Sequence, residues 1–234
     1  MKNAYYSPVV KPPGSYPVAI ATTEYGGGKI VVYGDAGCWQ GQTPFGPVFT
    51  DPNYHEQEIA LNLIEYLTTK PTFSKELVEG WNLISLPLTA DDMTFSSVFS
   101  SVAGKYDAIY SYNATTHSWV ALGADDTLEN GVGYFIHMTE NGTWTYTGSA
   151  YTDMDISLQQ GLNMIGWLNC SKGISDALSS IEGDYWYVAR WNATTQKFEV
   201  YVPDAPPMFN DFNTMERGGG YFIAAKTSCT LTYP

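Results

Sequence analysis

Hydrophobic and polar positions from about residue 77 onward follow the same order twice. Each half opens with an apolar run, Leu83–Leu88 or Met164–Leu168, which predicts a buried strand. A short amphipathic stretch, Ser96–Val102 or Ser175–Ile181, predicts a helix. Alternating aromatic residues around NATT predict a hairpin, and GYFI and a Thr-rich segment predict two further strands. Five short strands and one helix favour a small closed or nearly closed β-unit in each half.

The two halves also match residue by residue. GWNLISLPL aligns with GLNMIGWLN, and the NATT and GYFI blocks follow in the same order. Matching residues stand 81 apart at Gly80 and Gly161, 79 apart at Asn113 and Asn192, and 87 apart at Gly133 and Gly220. The last offset reflects an insertion near PDAPPMFNDFN. Three ordered blocks indicate an internal duplication, in which Gly80 and Gly133 are expected where the backbone bends or crowds another segment.

The first part of the chain has a different pattern. Val18–Thr23 and Lys29–Tyr33 flank Glu24–Gly28 and predict a hairpin with a glycine turn. This GGGK is not expected to bind phosphate, because it precedes a strand and lacks the Ser or Thr that follows Lys in a phosphate loop. A capped helix is predicted after Asn53, with an apolar stripe at Ile59, Ala60, Leu63, Ile64 and Leu67.

These patterns predict an α+β, mostly β fold. A partial α/β segment of a hairpin plus a helix occupies residues 1–75. Two similar small barrel-like or sandwich-like units, each with one short helix, occupy residues 76–152 and 153–234.

Two resemblances agree with this division. GGGKIVVYGD and EQEIALNLIEYL resemble the tail of glutamine-amidotransferase-like domains in surface and gliding-type proteins, without the part that would hold a nucleophile. GWNLIS, the aromatic hairpin with Trp and GYFI resemble a module of archaeal and bacterial secreted or surface proteins. The second resemblance implies a C-terminal appendage on a surface protein.

Charge and composition narrow the classes of partner. The chain has a net charge of −13, and residues 78–234 hold 6 basic and 17 acidic side chains. Such an acidic surface repels phosphate backbones and anionic lipid, so neither nucleic acid nor a membrane surface is expected as a partner. No apolar run is long enough to cross a bilayer, and the first residues lack the apolar core of a signal peptide. The chain is therefore predicted to be either cytosolic or, as the resemblance favours, a fragment of a longer surface precursor.

No catalytic or cofactor-binding motif is present. The three His residues do not accompany a nucleophile motif, and no zinc-protease or serine-hydrolase signature occurs. Acidic pairs stand at Asp91/Asp92, Asp125/Asp126 and Asp153/Asp155. They are interpreted as solvated turns or, alternatively, as a weak Ca²⁺ site, without EF-hand spacing. No enzyme activity, cofactor or assigned metal site is predicted.

Other residue types suggest an extracellular setting. Glycosylation sequons occur at Asn113, Asn141, Asn169 and Asn192, all within the two halves. The three Cys residues cannot all pair, and Cys170 with Cys229 is the candidate disulfide, because a closed unit would make its first and last strands neighbours.

Aromatic side chains leave two functions open. Trp119, Trp144, Trp186 and Trp191 are candidates for stacking on sugar rings, although their alternation within predicted strands favours packing in a core. The predicted function is a non-enzymatic structural or interaction region of a cell-surface or secreted protein. Its partners would be other surface proteins or glycans, and a carbohydrate-binding module is the alternative.

Overall fold

The computed structural model describes residues 70–151 and 154–233 in full, together with the backbone of three strands nearer the N-terminus. The chain divides into two compact units, Met1–Lys70 and Pro71–Pro234. In the described residues strands dominate and the helices are short, which confirms the predicted β-rich α+β class.

In the first unit, strands β1 (Tyr5–Tyr6), β2 (Ile20–Tyr25) and β3 (Gly28–Tyr33) form an antiparallel sheet in that order. The pairing of Tyr25 with Gly28 closes a tight hairpin between β2 and β3. This confirms the predicted hairpin, with its first strand shifted by two residues. The helix predicted after Asn53 lies outside the described residues.

The first half of the second unit contains one four-stranded sheet and two strand pairs. Its elements are β4 (Thr72–Leu77), β5 (Gly80–Ser85), β6 (Leu88–Thr89), helix α1 (Phe95–Val98), a 3₁₀ helix (Ser100–Val102), β7 (Tyr106–Asn113), β8 (Ser118–Ala121), β9 (Gly133–Met138), β10 (Gly142–Thr147) and β11 (Ser149–Ala150). The sheet has the order β5-β9-β7-β8, while β4 pairs with β10 and β6 with β11. Each pairing is antiparallel.

The second half has a sheet of the same order. Its elements are β12 (Asp155–Leu158), β13 (Gly161–Gly166), β14 (Lys172–Gly173), helix α2 (Ile174–Ala177), 3₁₀ helices (Ser179–Ile181 and Pro207–Phe209), β15 (Tyr185–Asn192), β16 (Lys197–Tyr201), β17 (Thr214–Met215), β18 (Gly220–Ala225) and β19 (Cys229–Thr232). The sheet runs β13-β18-β15-β16, with β12–β19 and β14–β17 as separate pairs. Both four-stranded sheets are open rather than closed into barrels.

The two sheets face each other across a central core, and each also covers an outer core of its own. The central core contains Leu83, Phe135, Met164, Ala189 and Phe222. One outer core lies between the first sheet, α1 and the β4–β10 pair, and the other between the second sheet, α2 and the β12–β19 pair. Strands β9 and β18 are therefore buried on both faces, which explains why GYFI is a continuous apolar run.

The repeated Gly-x-Asn at the start of β5 and β13 has a structural role. The Asn82 side chain both donates to Val78 O (2.7 Å) and accepts from Val78 N (3.1 Å). Asn163 makes the same pair of bonds to Gln159, both at 2.8 Å. Both Asn side chains are buried, so these bonds supply the partners that a buried amide requires. The motif fixes the turn before each strand.

A local twofold relation joins the halves, because equivalent residues exchange roles across the contact. Ser85 N donates to Gly218 O (3.1 Å), and its counterpart Gly166 N donates to Gly131 O (2.8 Å). Two isolated antiparallel bridges repeat this exchange: Ile84 with Gly219, and Val132 with Ile165. The halves thus contact each other as the subunits of a symmetric dimer do, although they share one chain.

Glycine is needed where these backbones meet. A Cβ atom on Gly133 would lie 2.8 Å from Ile165 O, and one on Gly220 would lie 2.8 Å from Ile84 O. Both distances are too short for a side chain. The predicted crowding at Gly133 is therefore observed, and its source is the opposite half of the molecule.

Candidate interaction surface

The most prominent exposed feature is a cluster of aromatic rings at the rim of the central core. We call this the aromatic patch and define it by Tyr112, Trp119, Trp191 and Phe198, above the buried rings of Phe135 and Phe222. Trp119 is 52% exposed and Phe198 50% exposed. The two are equivalent positions of the halves, 79 residues apart, as are Tyr112 and Trp191.

The hairpins position these rings as cross-strand pairs. Tyr112 on β7 pairs with Trp119 on β8, and their ring centroids lie 5.5 Å apart. Trp191 on β15 pairs with Phe198 on β16 at 4.8 Å. Both pairs meet edge to face, the arrangement that the charge distribution of aromatic rings favours.

Neither half can form the aromatic patch alone. Trp119 contacts Phe135 of its own half (5.8 Å) and Phe222 of the other (6.1 Å). Phe198 likewise contacts Phe222 (5.8 Å) and Phe135 (6.2 Å). The exposed rings therefore lie on either side of the local twofold, over a shared buried floor.

The β15–β16 hairpin turn of the second half stabilises the aromatic patch through hydrogen bonds to the first half. Gln196 Oε1 accepts from Trp81 N (2.9 Å) and Gln196 Nε2 donates to Trp81 O (3.0 Å), across the boundary between the halves. Trp191 Nε1 also donates to Trp81 O (2.9 Å). The Gln196 side chain lies over Gly80, whose φ of 91° is the left-handed conformation that glycine tolerates best.

The four tryptophans named from the sequence have different environments. Trp144 is fully buried, stacked on Phe99 at 4.5 Å, and its Nε1 donates to Val98 O (2.9 Å). The sugar-stacking assignment is wrong for Trp144, because β10 turns this ring toward α1. The packed assignment is wrong for Trp119, because β8 is an edge strand whose residues are all exposed.

The remaining two tryptophans differ in what covers them. Trp191 is half-buried within the aromatic patch. Trp186 is 63% exposed, lies outside the patch, and has Lys226 Nζ 4.7 Å above its ring.

Phe198 was missed as a candidate, although its alignment with Trp119 identifies it. Met208 and Phe209, in the insertion of the second half, are also exposed and had no counterpart to signal them.

The sequons lie in turns and loops. Asn113 Oδ1 accepts from Thr115 N (2.9 Å), and Asn192 Oδ1 accepts from Thr194 N (3.0 Å) in the equivalent turn. Asn192 Nδ2, the atom a glycan would modify, donates to Glu199 Oε1 (2.7 Å). Asn113 is exposed, and no such bond to another described residue forms at its Nδ2. Asn141 is exposed and accepts from Glu79 N, and Asn169 accepts from Cys170 N. Use of the sequons stays a prediction.

A small charged cavity of about 170 Å³ lies beside β15. Arg190 Nε pairs with Glu199 Oε2 at 2.7 Å, and Asn192 binds the other carboxylate oxygen. The Asn192 and Arg190 hydrogen bonds hold the pKa of Glu199 below its usual value. Burial lowers the pKa of Lys75, which also lines this cavity. The opposite charges of Arg190 and Glu199 neutralise each other, and their ion pair links strands β15 and β16 of the hairpin.

A larger depression of about 550 Å³ in the first half is lined by Asp91, Asp92 and several hydroxyl side chains. Asp92 Oδ1 accepts from Thr94 N (2.9 Å), as expected for a turn. Asp126 Oδ2 accepts from Gly123 N (2.7 Å) in the same way. Within residues 70–151 and 154–233, no group of three or more His, Cys, Asp or Glu is placed to hold a metal ion. Asp153 lies outside the described residues.

The predicted disulfide does not form. Cys170 and Cys229 are free thiols. Cys170 follows β13, which pairs with β18, whereas Cys229 begins β19, which pairs with β12, so the two strands expected to be neighbours are not paired. Cys38 lies outside the described residues. No helix in the described part of the chain is long and apolar enough to span a membrane.

No known protein family, characterised protein or solved structure matches this chain.

Proposed function

We propose that residues 71–234 are a non-enzymatic structural and interaction region of a cell-surface or secreted protein, built from two tandem copies of one β-module. The observation supporting this function is the aromatic patch, which exposes Trp119 and Phe198 over a floor shared by both halves. A contiguous exposed apolar patch on a soluble protein often marks an interaction site. None of the four side chains of the patch or the two of its floor is a carboxylate, imidazole or thiol, which suits binding rather than bond cleavage.

Duplication of one module is supported by the architecture of the halves. The two sheets share their strand order, and equivalent residues exchange hydrogen bonds across the local twofold. A surface location is supported by the exposed sequons at Asn113 and Asn141. The expected partners are another surface protein or a glycan.

A binding assay on envelope preparations from the source organism tests this function. The full chain should bind, and Trp119→Ala combined with Phe198→Ala should weaken binding about tenfold or more, as loss of aromatic anchors does at interfaces. Trp186→Ala is the matched control, because it removes an equally exposed ring outside the aromatic patch. Equal binding by all three proteins would contradict a role for the patch.

Carbohydrate binding is the second candidate, because two half-exposed rings resemble the platforms on which pyranose faces stack. Treating the envelope with periodate, which cleaves sugar diols, should abolish binding if the partner is a glycan. Protease treatment should abolish it if the partner is a protein. Loss under only one treatment selects between the two candidates.

A further inference from the structure

The two sheets differ at one edge, although their strand orders match. In the second half, the insertion after β16 covers the edge of that strand. Asp211 Oδ2 accepts from Val200 N (2.8 Å), Asp211 N donates to Val200 O (3.1 Å), and Asn210 makes a matching pair of bonds to Val202. The first half has no such insertion.

Among the described residues, nothing pairs with the outer edge of strand β8, which ends the first sheet. Leu122 N donates to Ile109 O (3.0 Å). The backbone N–H and C=O groups of the alternate residues Leu122, Val120 and Ser118 therefore point toward β7. The backbone N–H and C=O groups of Trp119 and Ala121 must then point away from the sheet. Among the described residues, no hydrogen bond reaches these outward groups.

The side chains of β8 do not protect this edge. Natural edge strands are usually blunted by charges, proline or a bulge. The equivalent strand β16 carries Lys197 and Glu199, but β8 reads Ser-Trp-Val-Ala, with every residue exposed and none charged. In a protein of net charge −13, β8 is thus a neutral strand edge without a partner in the part of the chain that the structure describes.

We propose that β8 pairs with β8 of a second copy of this chain, which extends the first sheet across an intermolecular twofold axis. The strand is self-complementary in one antiparallel register. Val120 lies opposite Val120 of the second copy, and each bulky Trp119 lies opposite a small Ala121. In this register the outward groups of Trp119 and Ala121 exchange both backbone hydrogen bonds.

This partner goes beyond the proposed function, because the pairing uses the backbone edge of β8 rather than the exposed ring faces. The proposed pairing adjoins the contact between the halves, because Trp119 lies in β8 and also contacts Phe222 of the second half. Four-residue strands bury less than the roughly 1,200 Å² of a typical stable complex, so the dimer is weak. Its dissociation constant is on the order of 100 µM.

Analytical ultracentrifugation of the full chain, from about 5 to 500 µM, tests the proposal. The wild type should shift from one chain to two. Ala121→Pro removes an outward N–H that the dimer would use, so it should abolish the dimer. The monomer should still fold, because proline is tolerated on an edge strand where its missing N–H makes no bond within the sheet. Val120→Lys should also abolish it by opposing like charges across the axis. Val120→Thr, which keeps a neutral β-branched residue, should still dimerise.

Cross-linking tests the register directly. Opposed residues of a non-hydrogen-bonded pair have Cα atoms about 4.5 Å apart, within disulfide range. Oxidised Val120→Cys should therefore give a covalent dimer above the baseline of the wild type, which contains the native cysteines. A wild type that stays monomeric throughout, or an Ala121→Pro protein that dimerises equally, overturns the proposal. If Ala121→Pro does not fold by circular dichroism, Val120→Lys decides. These tests measure self-association only, so their outcome does not depend on whether the Trp119→Ala and Phe198→Ala double variant loses envelope binding.

Discussion

Single residues in equivalent surroundings determine how the halves fit together. Gly133 and Gly220 precede the tyrosines of β9 and β18, and each lies against a backbone oxygen of the opposite half. The tyrosines are themselves buried, and their hydroxyls accept from Glu129 N (2.8 Å) and Glu216 N (2.6 Å). The Gly-Tyr pair thus combines close approach on one side with a hydrogen-bonded core residue on the other.

Gly220→Ala should destabilise the protein by about 1–3 kcal/mol, the usual cost of overpacking. Its added methyl group would lie 2.8 Å from Ile84 O, and a backbone atom cannot move aside as a flexible side chain can. Chemical denaturation followed by tryptophan fluorescence measures the difference.

Gly173→Ala is the control for this substitution. Gly173 is exposed, has a φ of −56°, and has no atom within 4 Å of an added Cβ. Its free energy of unfolding should stay within about 0.5 kcal/mol of the wild-type value. Equal losses at the two glycines would contradict the close-approach explanation.

At the scale of elements, the β15–β16 hairpin depends on a polar network that its counterpart lacks. Glu199 accepts from Arg190 and Asn192, both at 2.7 Å, and this lowers the pKa of its carboxyl group. A carboxyl group whose pKa is lowered by folding stabilises the fold at pH values above its pKa in the unfolded chain, near 4.5. This contribution disappears as the pH falls through its pKa in the folded chain.

Glu199→Gln should therefore cost about 1 kcal/mol at pH 7, the scale of a partly exposed charge-assisted hydrogen bond. The cost should begin to shrink as the pH falls below about 4.5, because the unfolded wild-type chain then takes up a proton that the folded carboxylate resists. Urea unfolding at pH 7 and pH 3.5 compares the two proteins. A difference that does not depend on pH would exclude ionisation of Glu199 as its cause.

The sequence predicted elements better than their environments. Periodicity identified the strands, the short helices and the equivalence of Gly80 with Gly161, because these depend on local spacing. It missed β4 and β12, whose partners β10 and β19 lie far along the chain, and it missed the face-to-face packing of the sheets. Burial of Trp144 follows from the packing of the β4–β10 pair against α1, and exposure of Trp119 follows from the edge position of β8, so strand alternation could not separate them.

At the scale of the whole molecule, buried tyrosines make stability sensitive to alkali. Burial raises the pKa of Tyr134, Tyr185 and Tyr221 to about 12, from an ordinary value of 10. Burial also raises the pKa values of Tyr146 and Tyr233. Between pH 10 and 12 the unfolded chain loses these protons while the folded chain retains them, so stability falls as pH rises.

We expect the free energy of unfolding to be constant from pH 8 to about 9.5 and to fall steeply above pH 10, by up to ~1.4 kcal/mol per pH unit for each buried tyrosine. Urea titrations across this range, with tyrosine ionisation followed at 295 nm, measure both events. Tyr221→Phe should reduce the slope. Stability that stays level to pH 11.5 would contradict this prediction.

The insertion that covers the edge of β16 also limits how far a sheet can grow. A true homodimer of identical modules would expose the β8-type edge twice, and edge pairing at both ends would link molecules into a fibre without end. In this chain Asn210 and Asp211 cover one such edge, whereas no hydrogen bond among the described residues reaches the outward groups of Trp119 and Ala121 at the other. With β8 pairing as proposed, growth of the first sheet by strand addition would stop at two chains.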